Sequence, residues 1–223
     1  MLIQLDFLAV LAQWPLLLKG VGWTVALTAI AAVLGMALGV ACAWSRVYGS
    51  SGLRLAVGVY IELIRNTPFI VQLFFIFFGL PAVGVRLSPE VASVMAMVIN
   101  LGAYSAEIVR AGIEATPRGQ ILAAQSLGMR PLRVFISIVL PPALQNVWPA
   151  MVSQIIIVML GSAVCGQIST EELSYAANLI QSRNFRAFEA FIIAALIYLA
   201  LSMLLRRVLQ SLGKRFIFGH SRV

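Results

Sequence analysis

Residues 134–170 read VFISIVLPPALQNVWPAMVSQIIIVMLGSAVCGQIST, 37 consecutive positions without Asp, Glu, Lys or Arg. About 20 apolar residues in a helix suffice to cross the hydrocarbon core of a bilayer. The apolar residues here are continuous rather than alternating, which is not the pattern of a half-buried strand. In lipid only helices and closed barrels satisfy the backbone. The expected class is therefore an all-α integral membrane protein.

The same kind of gap recurs along the chain. Lys19 to Arg46 leaves 26 uncharged positions, Arg65 to Arg86 leaves 20, Glu90 to Glu107 leaves 16 and Glu189 to Arg206 leaves 16. These gaps place five spans at 22–45, 57–82, 88–113, 144–168 and 187–206. Residues 1–21 contain Gln4, Asp6, Gln13 and Pro15 and read as an interfacial lead-in. Residues 22–210 then form the transmembrane domain and 211–223 a basic cytoplasmic tail.

Composition agrees. Of 223 residues, 61% are hydrophobic and 11% charged, with a mean hydropathy of +0.97. A soluble domain carries about a quarter charged residues, so a soluble enzyme is excluded. The net charge of +8 is better explained by topology-setting arginines than by nucleic acid, for which no polar, aromatic-dotted surface is present. Cys42 and Cys165 lie in apolar stretches and His220 lies near the end, so neither a disulfide framework nor a metal site is expected.

Orientation follows from the basic residues. With the amino end outside, the inner side holds Arg46, Arg54, Arg110, Arg118, Arg130, Arg133, Arg206, Arg207, Lys214, Arg215 and Arg222, which is 11 of the 16. The outer side holds Lys19, Arg86, Arg183 and Arg186, and Arg65 falls within a span. This excess favours amino end out and carboxyl end in. The first span also carries Gly35-x-x-x-Gly39-x-x-x-Ala43, a ridge that lets helix backbones approach closely, within the subunit or across a dimer.

The inner segment 114–143, EATPRGQILAAQSLGMRPLRVFISIVLPPA, is too apolar for a linker. It predicts a helix over 118–127, a stop at Gly128, a second helix over 131–140 and a break at Pro141 and Pro142. Ile121, Leu122, Leu127 and Met129 lie beside Arg118, Arg130 and Arg133. Such a hairpin suits either a docking knob for a protein or an amphipathic element on anionic lipid.

Ala123-Ala124, Gly128, Ile138, Leu140 and Pro141 resemble the signature loop of bacterial ABC-transporter permeases, with Leu122 where that family carries glutamate. Glu62-Leu63-Ile64-Arg65-Asn66-Thr67-Pro68 and Val71-Gln72-Leu73-Phe74-Phe75 resemble the second-span motif of the polar amino acid uptake family. Gly102-Ala103-Tyr104-Ser105-Ala106-Glu107-Ile108-Val109-Arg110-Ala111-Gly112-Ile113 resembles its third-span motif, and Pro117-Arg118-Gly119-Gln120 opens the loop in the same style.

The resemblance implies a type I ABC importer permease fold in a bacterial plasma (inner) membrane. It implies half of a pathway for polar or charged amino acids, completed by a second permease subunit as a homo- or heterodimer. It also implies cytoplasmic ABC ATPase subunits that bind ATP and Mg, and an extracytoplasmic amino-acid-binding protein. Docking to the ATPase is assigned by the resemblance to Arg118, Gly119, Leu122, Ala123, Ala124, Gly128, Leu140 and Pro141. The chain itself has no G-x-x-x-x-G-K-[ST] phosphate loop, since Gly213-Lys214 lacks both the glycine spacing and a following Ser or Thr. It is therefore read as a non-catalytic subunit with no cofactor of its own. A stand-alone channel or secondary transporter is the alternative, and it would work without an ATPase.

Ionisable groups in a membrane face a cavity or a partner. Glu62 with Arg65, and Glu107 with Arg110, are three apart and share a helix face. They read as intramembrane ion pairs or as gate residues. Asn66-Thr67-Pro68 predicts a helix break, a place where transporters put binding groups, so Thr67 and Gln72 are pathway candidates. After the fourth span, Ser169 or Thr170 is expected to cap a helix on which Glu171, Tyr175 and Asn178 share one face, with Glu172 in its first turn. These four are candidates for the pathway, or for a capped external helix.

Overall fold

The computed structural model describes residues 5–217, and every regular element among them is helical. In chain order they are α1 (Phe7–Leu11), α2 (Trp14–Tyr48), α3 (Ser51–Arg65), α4 (Phe69–Phe74), α5 (Pro89–Glu114), α6 (Arg118–Ser126), α7 (Pro131–Val134), α8 (Leu140–Gly161), α9 (Leu173–Asn184) and α10 (Ala187–Leu212). Four helical runs are long and apolar enough to span a bilayer: α2, α5, Pro131–Ile168 and Ala187–Arg215. The fifth expected span is α3 with Phe69–Val83, two pieces bent by 111°. His220 and Arg222 lie outside the described residues.

α2 begins at Trp14, eight residues before the expected start of the first span. Pro15 sits in its first turn, where a missing N–H costs nothing. Residues 14–21 of the expected lead-in are thus helical and continuous with the first span. At 35 residues and 1.5 Å per residue, α2 extends about 52 Å and overshoots a hydrocarbon core of about 30 Å. Its glycine ridge is used inside the chain. A Cβ on Gly39 would lie 2.4 Å from Ser105 Cβ, and one on Gly35 would lie 2.9 Å from Leu101 Cβ. The small residues thus let α2 and α5 pack nearly backbone to backbone, in place of the hydrophobic effect that lipid cannot supply between helices.

α5 starts at Ser88, whose hydroxyl accepts from Val91 N–H, followed by Pro89 in the first turn. At its other end Gly112 packs against the α8 backbone, where an added Cβ would lie 2.8 Å from the Ala143 carbonyl oxygen.

The expected break at Pro141–Pro142 is absent. Phe135–Val139 forms a π turn between α7 and α8, and both prolines lie in the first turn of α8. The wider turn ends just before them, so they fall where a missing donor is tolerated. The second hairpin helix is therefore continuous with the fourth span. α10 runs six residues past its expected end at 206 and continues as a π turn over Gly213–Ile217. Part of the expected tail is thus helix.

The elements sort into two ends. At one, the Tyr48 ring at the close of α2 meets Phe135 edge-on, 5.9 Å between centroids. A single apolar core there joins Ala124 of α6, Val134 and Phe135, Trp148 of α8 and Leu209 of α10. At the other, Lys19 pairs with Glu171 and Arg186 pairs with Asp6 at 3.3 Å. The start of α2 and the α9–α10 junction therefore lie opposite the α6–α7 hairpin.

Candidate functional site

The hairpin is built by one turn. The Met129 N–H donates to the Ala124 carbonyl at 3.3 Å and the Gly128 N–H to Gln125 at 2.9 Å. This closes α6 in a Schellman cap, with Gly128 at φ +73, a conformation that favours glycine. Ala124 and Val134 are buried and hold α6 on α7. The outer faces remain bare: Leu122, Leu127, Leu132 and Ile136 are 61, 82, 56 and 53% exposed. Arg118, Gly119, Ala123, Gly128 and Pro141 are exposed, and Leu140 is half-buried against the core. Arg130, Leu132, Arg133, Ile136 and Ser137 line a depression of about 310 Å³. An apolar patch rimmed by arginines marks an interaction surface. Leu132 and Ile136 were not singled out from sequence. Their signal is helical spacing, i and i+4, on the face opposite buried Val134.

A second group forms where α3 breaks. Gln72 donates through Nε2 to the Ile64 carbonyl at 2.8 Å, to the Thr67 carbonyl at 3.0 Å and to Thr67 Oγ1 at 2.9 Å. Its Oε1 accepts from Asn100 Nδ2 of α5 at 3.0 Å. The Thr67 hydroxyl donates to the Leu63 carbonyl at 2.8 Å. Thr67 and Gln72 therefore satisfy carbonyls freed by the break and pin it to α5. Asn100, near the middle of α5, was missed, although an amide within an apolar span is itself a signal.

The expected Glu62–Arg65 pair does not form. Glu62 accepts from Asn66 Nδ2 at 2.9 Å. Arg65 turns to α5, with its guanidinium 3.9 Å from Glu107 and 5.6 Å from the Tyr104 ring centroid. The expected Glu107–Arg110 pair does form, at 2.8 Å, and Arg110 also reaches Glu114 at 2.5 Å. Residues three apart on α3 share a face, but the partner across the interface wins. The result is a charged ladder, Arg65–Glu107–Arg110–Glu114, descending α5 toward the hairpin end.

The third group lies at the opposite end. The α9 cap is Glu172, not Ser169 or Thr170. Ser169 is left-handed at φ 68, and Thr170 is buried in a hydrogen bond with Ser93 at 2.8 Å. Glu172 is fully buried. Its carboxylate accepts from Ser174 N–H at 2.9 Å, Ser174 Oγ at 2.5 Å, Tyr175 N–H at 2.8 Å and the Tyr198 hydroxyl of α10 at 2.5 Å. The Leu173 N–H donates to Thr24 Oγ1 of α2 at 3.2 Å. Glu171 precedes the helix and pairs with Lys19, so it does not share a helical face with Tyr175 and Asn178. Those two remain half-buried. Thr24 and Tyr198 were missed; both are polar groups inside otherwise apolar spans.

Comparison with known proteins agrees with this arrangement. The L-cystine transport system permease of Bacillus subtilis (strain 168) is 34% identical over 91% of this chain and 87% of its own length. The glutamine transport system permease of Escherichia coli (strain K12) is 31% identical over 95% of this chain and 98% of its own. A solved amino acid ABC transporter, crystallised with histidines, superposes at a TM-score of 0.85 with 35% identity, over 96% of this chain and all of that one. Residues 35–218 match the family described as binding-protein-dependent transport system inner membrane component. With most of its length inside that match and its spans folded as in a type I ABC importer permease, the chain belongs to this family of multi-pass membrane transport permeases.

Proposed function

We propose that the chain is the membrane-embedded half of an ATP-driven importer of polar or charged amino acids. It moves solute without hydrolysing ATP and is driven through the α6–α7 hairpin by a separate cytoplasmic ATPase, which binds ATP and Mg. A second permease subunit, the same chain or a homologue, completes the pathway, and an extracytoplasmic binding protein delivers the substrate. The observation that carries this reading is the hairpin. It offers an exposed apolar surface rimmed by arginines, yet it is rooted by Ala124, Val134 and Phe135 in the core of the spans. A push on α6 is transmitted to α8 because α7, the π turn and α8 form one helical run.

The basic residues at the hairpin end support amino end out and carboxyl end in. ATP binding draws the two ATPases together, the hairpins move with them and the spans open outward; hydrolysis resets the inward state. The part-exposed ladder on α5, Arg65–Glu107–Arg110–Glu114, offers charged groups to a zwitterion.

The test replaces the exposed contacts. Leu127→Asp with Leu132→Asp is expected to leave the protein inserted at its normal level. It is expected to abolish co-purification of the ATPase and the ATP hydrolysis stimulated by a binding protein across a panel of amino acids. Unchanged co-purification and hydrolysis would refute the assignment.

A further inference from the structure

At the hairpin end, α8 and α10 enclose a cavity of about 430 Å³ whose lining includes Trp148, Val152, Ser153, Arg206, Gln210 and Lys214. That volume lies within the range of small-ligand sites, roughly 300–1,000 Å³. Neither Arg206 nor Lys214 has an ion-pair partner among the described residues, and no acidic side chain lines the cavity. The Trp148 Nε1–H is already given to the Leu209 carbonyl at 3.3 Å, and the Ser153 hydroxyl donates to the Pro149 carbonyl at 3.1 Å. The donors left for a ligand are the guanidinium, the ammonium and the Gln210 amide, a set suited to a group that only accepts, such as a phosphodiester.

The rest of the α10 face narrows the ligand further. Leu196, Leu199 and Met203 are 60, 54 and 57% exposed. With Arg206, Gln210 and Lys214 they follow at steps of three or four residues, which puts all six in one stripe. The stripe is apolar along the span and cationic where it reaches the hairpin end. Among the four unbroken spans α10 is the least covered, with 22% of its most apolar window buried. A ligand for this stripe needs an anionic head and a long apolar body.

We propose that the α8–α10 cavity is a binding site for the phosphodiester head of an anionic phospholipid, whose acyl chain lies along Leu196, Leu199 and Met203. Basic pockets between membrane helices are suited to this, and the lipid fixes the end of α10 against α8, beside the root of the hairpin.

The experiment uses the full chain, extracted in neutral detergent in the complex it forms. Native mass spectrometry follows titration with phosphatidylglycerol, phosphatidylcholine and inorganic phosphate. Saturable binding of phosphatidylglycerol is expected, with little binding of phosphatidylcholine or free phosphate. Arg206→Gln and Lys214→Gln are each expected to weaken it roughly tenfold. Arg207→Gln, which removes the same charge beside the cavity, is expected to leave it intact. Equal loss in R207Q would reduce the effect to diffuse surface charge and overturn the site. So would unchanged binding in R206Q/K214Q, equal affinity for phosphatidylcholine, or occupancy by inorganic phosphate at similar affinity.

Discussion

The α6–α7 hairpin and the α9 cap sit at opposite ends of the bundle, and both are marked in the sequence by charged or polar residues flanking a short helix. Their interiors differ. In the cap, Glu172 is fully buried and four donors from α9 and α10 converge on its carboxylate. In the hairpin, Leu127 is 82% exposed and Leu122 is 61% exposed. The cap is saturated and has nothing left to offer a solute, whereas the hairpin is unsaturated and needs a partner. Saturation therefore separates what holds the bundle from what works on it, and it moves Glu172 from the candidate pathway to the structural framework.

The largest expected effect tests the saturated side. Glu172→Ala strands the Tyr198 hydroxyl and the Ser174 and Tyr175 N–H groups without acceptors. Each buried orphan costs about 1–3 kcal/mol, so the total loss is on the order of 3 kcal/mol or more. Thermal unfolding in detergent should show a fall of many degrees and a poor yield of inserted protein. A near-normal midpoint would mean that water reaches the site, and the contrast with the hairpin would fail.

Gln72→Leu comes next. It removes the amide that holds the Ile64 and Thr67 carbonyls and the contact to Asn100. A loss of about 1–3 kcal/mol is expected, together with increased protease or cysteine-labelling access around 64–72. Thr67→Val should cost less, because the backbone acceptors keep their Gln72 donor. If Gln72→Leu leaves stability intact but abolishes transport, the residue belongs to the working side after all.

Gly128→Ala probes the hairpin's own frame. Nothing lies within 4 Å of the Cβ it would add, so the cost is the left-handed backbone alone, about 1–2 kcal/mol. It should surface as faster amide exchange in α6, with the global melting point nearly unchanged. A global shift of several degrees would show that the hairpin is integral to the bundle's stability.

What was legible in the sequence follows the same division. Gaps between charges located the spans, because burying a charge in lipid is costly whatever it packs against. The stop at Gly128 and the break at Asn66–Pro68 were legible because backbone conformation is local. Partner choice was not. Spacing put Glu62 and Arg65 on one face but could not show that Glu107 on α5 stands opposite Arg65. Nor could it show that a π turn at 135–139 lets Pro141 and Pro142 start a helix rather than end one. Ser169 and Thr170 look like caps by residue type, yet Thr170 is taken by Ser93 of α5. The cap falls to Glu172 for tertiary reasons.

The smallest expected effect is the sharpest for the comparison, because it concerns neighbours. Glu171 and Glu172 are adjacent carboxylates, and their surroundings differ. Glu171 pairs with Lys19 across side chains that are 42 and 56% exposed. Exposed pairs of this kind contribute about 0–1 kcal/mol and are screened by salt. Lys19→Ala should therefore lower the unfolding midpoint by a degree or two at low ionic strength and by nothing measurable at high salt. The Glu172→Ala loss should persist at any salt, since its partners are neutral donors that counterions do not screen. A Lys19→Ala loss as large and as salt-resistant as that of Glu172→Ala would mean that this end of the bundle is held by charge. It would then be the Lys19–Glu171 ion pair, not the saturated Glu172 cap joining α9 to α10, that dominates there.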